Sequence, residues 1–133
     1  MTGTLYKEIP LSNGLALEIW DRSRLIGKDT TKVEFLFKTK IDINPAYFTE
    51  PSHFERTRNV FGSHVFFEYT MERSFVSNKE KDHVSHSLIK TFTENVLPYL
   101  SRPDFPKKFA LSNFRDIMKN PYKYLACYDE TSS

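Results

Sequence analysis

Apolar and polar residues alternate through the first half of this chain and recur at helical spacing through the second. Asn13-Gly14 reads as a turn, and Leu15 to Ile26 then alternates as a strand does. Leu15, Leu17, Ile19, Asp21, Ser23 and Leu25 share one face, and Ala16, Glu18, Trp20, Arg22 and Arg24 share the other. A five-residue turn, Gly27-Lys28-Asp29-Thr30-Thr31, leads into a second alternating stretch from Lys32 to Ile43. There Val33, Phe35, Phe37, Thr39, Ile41 and Ile43 oppose Lys32, Glu34, Leu36, Lys38, Lys40 and Asp42. Pairing the two strands about that turn sets Ile26 opposite Lys32, Arg24 against Glu34, Trp20 against Lys38 and Glu18 against Lys40. Each such charge or cation–indole pair contributes roughly 0.2–1 kcal/mol. A slip of one residue would turn an apolar face to solvent.

A third strand is predicted from Ser63 to Val76. Val65, Phe67, Tyr69, Met71 and Phe75 share a face with Arg73, opposite His64, Phe66, Glu68, Thr70, Glu72 and Ser74. Between strands two and three, Ser52-His53-Phe54-Glu55 has the S-x-x-E form of a capping box, and Gly62 suits a helix end, so a short helix is predicted from His53 to Val60. A second S-x-x-E, Ser77 to Glu80, opens the clearest helix, with Val84, Leu88, Phe92, Val96 and Leu100 recurring every fourth residue. Pro98 kinks or ends it. Ser101 to Pro106 reads as a connector, and a last helix starts at Ser112, carries Phe114, Ile117 and Met118, and stops at Asn120-Pro121.

The pattern therefore predicts an α+β fold: a small antiparallel sheet of three to four strands with helices on one face. It is read as one domain, strand-rich over 1–76 and helical over 77–125, with a frayed tail at 129–133. Three strands make a thin sheet. Either Tyr6 to Leu11 adds a strand, or a second copy of the chain completes it.

Composition narrows the function more than it names one. The chain has 133 residues, 19 basic and 17 acidic, so its near-balance gives no electrostatic case for nucleic acid or an anionic membrane as main partner. No apolar run is long enough to cross a bilayer, and the first residues lack a signal-peptide pattern. A single cysteine, Cys127, excludes an internal disulfide framework and fits a reducing, cytoplasmic location. Twelve Phe, seven Tyr and one Trp are heavy aromatic loading, which suits a partner surface as well as a core.

Candidate chemistry is sparse. His83 and His86 stand at i, i+3, but a metal needs a third donor, such as His53 or His64, and no second motif supplies one. Neither a phosphate-cradling glycine loop nor a nucleophile elbow is present, so no cofactor is expected. Cys127 lies in no C-x-x-C motif and has no local base, so a catalytic thiol is not expected. Asp21 and Arg73 each interrupt an apolar face, which points to a mutual ion pair, to a polar site, or to an edge position where both reach water. Trp20 and Phe66 lie among charges, as interface hot spots do. Lys107, Lys108 and Arg115, with Arg102, Lys119 and Lys123, interleave with Phe105, Phe109, Phe114, Tyr122 and Tyr124, the composition that single-stranded nucleic acid requires.

The leading expectation is a cytoplasmic binding or interaction domain that self-associates as a homo-oligomer. An apolar pocket lined by Phe35, Phe37, Phe67, Tyr69 and Phe92 would take a small ligand. A small enzyme using Asp21 and Arg73 is the second reading, and nucleic-acid binding through residues 102–124 is the third.

Overall fold

Alternation in the N-terminal half becomes a five-stranded antiparallel sheet, and the fold is α+β. A computed structural model describes residues 3–124; Cys127 and the tail at 129–133 lie outside them. Strands β1 (Thr4–Pro10), β2 (Ala16–Asp21), β3 (Arg24–Gly27) and β4 (Thr30–Asp42) follow in succession. Helix α1 (Pro51–Phe61) precedes β5 (His64–Ser77), and helices α2 (Lys81–Asn95), α3 (Leu97–Leu100) and α4 (Phe105–Lys119) come after it. Short 3₁₀ turns stand at Pro45–Tyr47 and Pro121–Tyr124.

The sheet has more strands than the alternation alone predicts, for two local reasons. The stretch from Leu15 to Ile26 is not one strand. Asp21 Oδ1 accepts the N–H of Ser23 at 2.9 Å, and Ser23 Oγ accepts the N–H of Glu34 at 3.1 Å, so the chain breaks at Arg22-Ser23 into β2 and β3. Both pair with the same edge of β4. The N-terminal segment then supplies β1, paired with β2. The sheet is completed from within the chain, so a thin sheet no longer argues for a second copy.

The register differs from the expected one by two residues. Glu18 stands opposite Lys38 and Trp20 opposite Leu36, while Arg24 faces Lys32. The turn is the cause: strand pairing continues to Gly27 and Thr30, leaving Lys28-Asp29 at the tip in place of five loop residues. An even shift keeps every side chain on its expected face, because the side-chain period is two.

β5 departs from alternation at one point. At one end Ile43 N–H bonds the carbonyl of Ser63, and at the other Asn78 N–H bonds the carbonyl of Asp29. Fourteen steps of chain on the β4 side thus face fifteen on the β5 side, so β5 carries one extra residue, the definition of a bulge. Phe75 takes a left-handed backbone (φ 59°), and beyond it Val76, not Phe75, points inward. Phe75 is 83% exposed.

The helices start where local backbone bonding allows. Ser77 is not a helix cap: it ends β5, and its carbonyl accepts Glu80 N–H at 3.0 Å, so α2 begins at Lys81. Ser52 lies inside α1, since Pro51 takes a first-turn position, where a missing N–H costs nothing. Pro106 does the same for α4, which therefore starts at Phe105, well before Ser112. Gly62 ends α1 with φ 82°.

The chain divides into two compact units. The first gathers residues up to Thr39 with Phe67–Arg102. Its core is Leu17, Ile19, Val33, Phe35 and Phe37 against Leu88, Phe92 and Leu100. Asn13 ties the β1–β2 turn to the end of α3, its amide donating to the carbonyls of Leu100 (2.7 Å) and Arg102 (2.9 Å). The second unit gathers Lys40–Phe66 with residues 103–124. There α1 and α4 pack together, and Ile41, Val65, Thr57, Phe105, Ala110 and Ile117 are buried. No helix among the described residues is long and apolar enough to cross a membrane.

Candidate functional site

The second unit holds a groove of about 340 Å³ on the face of α4, built from Lys107, Leu111, Phe114 and Arg115. Spacings of four, three and one residue bring these onto one side of a helix. Tyr47, Thr49 and His53 supply the opposite wall. Asn44 shapes that wall: its side chain accepts the N–H of Ala46 at 2.9 Å and, with Pro45 next, starts the 3₁₀ turn that carries Tyr47.

The rings of the groove are held in place. His53 stacks on Phe114 with centroids 4.5 Å apart, and Phe48 meets Phe114 edge-on at 6.1 Å. His53 Nε2 lies 3.0 Å from a Glu50 carboxylate oxygen, which fixes the imidazole from the other side.

Two lysines on the segment 102–124 are committed to carboxylates. Lys108 is paired with Asp104 at 3.0 Å, and Lys123 with Asp116 at 3.0 Å. Lys107 and Arg115 are exposed, line the groove, and make no ion pair among the described residues. Asp116 takes hydrogen bonds from the Tyr124 hydroxyl, the Lys123 ammonium and the Asn120 amide, and the first two hold its carboxyl below the ordinary carboxylate range. Of the three basic residues singled out in the sequence, the structure thus brings Lys107 and Arg115 together and commits Lys108 to a carboxylate.

No match to a known protein accompanies this geometry. The chain matches no protein-family model, no curated protein and no solved structure.

The remaining candidates stand apart. Asp21 and Arg73 form no ion pair. The Asp21 carboxylate serves the turn at Ser23, and Arg73, which is exposed, donates to the carbonyl of Glu72 at 3.0 Å. Trp20 donates its indole N–H to Glu18 at 3.1 Å beside Leu36 in the first unit, whereas Phe66, 41% exposed, belongs to the second and meets His64 edge-on. Of the residues expected to line an apolar ligand pocket, Phe37 and Phe92 are fully buried and their rings stack at 3.8 Å, while Tyr69 is 49% exposed. Among the described residues no group of three or more His, Cys, Asp or Glu converges as metal ligands do.

The sequence reading missed Tyr47, Thr49 and His53 as partners of α4. Asn44-Pro45 was the one available signal, a capped turn in a loop too long to be a plain hairpin connection.

Proposed function

We propose that this chain is a binding domain for single-stranded nucleic acid, with its contact surface on α4 in the second unit. One observation carries the reading: Lys107 and Arg115, two cations of α4 that make no ion pair among the described residues, line the same groove as Tyr47 and Phe114. A phosphate backbone needs uncommitted cations, and an unstacked base needs an aromatic face; a stacked base contributes about 1–3 kcal/mol. A groove of about 340 Å³ takes a single base with its phosphate, so each domain grips a short stretch of strand. Near-neutral overall charge makes the attraction local and weak.

The test is fluorescence anisotropy with a labelled oligothymidine at two salt concentrations. Two phosphate contacts predict a decline in log affinity against log salt of slope about −1.4. Absence of binding at low salt removes the reading.

Self-association is the second reading. The exposed side chains of Leu25 (68%) and Ile26 (43%) on β3 and Phe75 (83%) on β5 favour it. Light scattering coupled to size exclusion separates the two, since a molar mass that stays at 15.7 kDa at high micromolar concentration leaves those side chains without a partner copy.

A further inference from the structure

In the first unit, β5 and α2 enclose a cleft of about 230 Å³ that the nucleic-acid reading does not use. We propose that it binds a small phosphate monoester with a short apolar body. Arg73 stands on one wall; His83, Ser87 and Thr91 form a row at successive i, i+4 spacing on the other; Val76 and Leu88 make the apolar floor. No carboxylate lines the cleft.

Arg73 is available to a ligand. Its one described bond is a donation to the neighbouring carbonyl of Glu72, which leaves most of the guanidinium fork unused. Guanidinium, imidazole and hydroxyl groups together offer more donors than the two oxygens of a carboxylate accept. The three terminal oxygens of a phosphate monoester match them better. The volume sets the rest of the ligand. About 230 Å³ lies below the range of pockets for drug-sized molecules, so a nucleotide is too large and a body of a few carbons fits over Val76 and Leu88.

The cleft owes its opening to the bulge at Phe75. In unbroken alternation Phe75 would share the α2-facing side with Met71 and Arg73, and its ring would occupy this space. The left-handed backbone swings the ring outward and sends the smaller Val76 in. A non-glycine residue held there is strained, and such strain persists only where the surrounding structure enforces it.

The experiment is an NMR titration of the ¹⁵N-labelled chain with n-butyl phosphate, inorganic phosphate and butyrate. Butyl phosphate should shift the amides of Arg73, Ser74, Ser87 and Thr91, and bind more tightly than either of the others. Arg73→Ala should weaken it about tenfold, the worth of a charge-assisted contact. Ser87→Val, on the opposite wall, should weaken it as well, while Lys107→Ala should leave it unchanged. The proposal is overturned if butyl phosphate shifts none of these amides, if Arg73→Ala binds as tightly as the parent, or if butyrate or inorganic phosphate binds equally well.

Discussion

Phe37 on β4 and Phe92 on α2 lie ring against ring, 3.8 Å between centroids and 9° from parallel, with neither side chain reaching solvent. Tyr69 approaches Phe92 at 6.1 Å from β5, so one ring of α2 touches two strands. Truncation there removes a large apolar side chain and leaves a cavity that rigid neighbours cannot close. Phe92→Ala should destabilise the protein by about 3–5 kcal/mol. Urea denaturation measures it, and a loss below about 1 kcal/mol would show that the stack is not central to the core.

Thr39 tests the opposite kind of defect. Its hydroxyl is buried on the apolar face of β4 and finds no hydrogen-bond partner among the described residues. A desolvated, unpaired hydroxyl is unfavourable, and valine has nearly the same shape without it. Thr39→Val should raise stability by about 1 kcal/mol. A fall in the urea midpoint would mean that the hydroxyl has a partner, such as an ordered water.

These two residues also show how far the sequence could be read. The period-two pattern places Phe37 and Thr39 on the same inward face, and the four-residue stripe of α2 marks Phe92, because faces follow from periodicity alone. The break at Asp21-Arg22-Ser23 was not legible, since it depends on a side-chain bond from Asp21 to its own turn and one from Glu34 to Ser23 across the sheet. Nor was the bulge at Phe75, where counting residues against β4 requires both ends of the pairing. The candidate groove was half legible. Lys107 and Arg115 carried a compositional signal, but their opposite wall comes from residues about sixty positions earlier, a distance over which local pattern is silent.

Phe75 itself gives a prediction with an unusual sign. Glycine adopts positive φ without strain, and a ring 83% exposed contributes little burial. Phe75→Gly should therefore stabilise the chain by about 0.5–1 kcal/mol, although removing an aromatic normally does the reverse. It should also leave affinity in the β5–α2 cleft unchanged. A marked loss of stability would mean that the exposed ring packs against a partner in solution.

Asp116 predicts a pH dependence. The Tyr124 hydroxyl first, and then the Lys123 ammonium, favour its charged form and lower its folded pKa from the ordinary 3.8. Between the folded and unfolded values the unfolded chain binds more protons. The stabilisation is thus fully present above pH 3.8 and is lost as pH falls through the folded pKa. Asp116→Asn should be less stable than the parent at pH 7, with the gap closing in strong acid. Because the carboxylate is solvent-exposed, added salt should narrow the gap at neutral pH. A gap that stays constant with pH would assign the effect to side-chain shape.

The pair Lys107 and Lys108 separates committed from uncommitted charge. They are sequence neighbours with the same formal charge, so any account based on net charge treats them alike. Geometry does not: Lys108 is held by Asp104 at 3.0 Å, and Lys107 borders the groove with Arg115. Lys107→Ala should weaken oligothymidine binding and flatten the salt dependence by about 0.7 in slope, the share of one phosphate on a single strand. Lys108→Ala should change neither quantity appreciably. Arg115→Ala should act as Lys107→Ala does, and the double variant should lose nearly all salt dependence. If Lys107→Ala and Lys108→Ala weaken binding equally, the strand is responding to diffuse charge on α4. The groove would then have no claim to be the site.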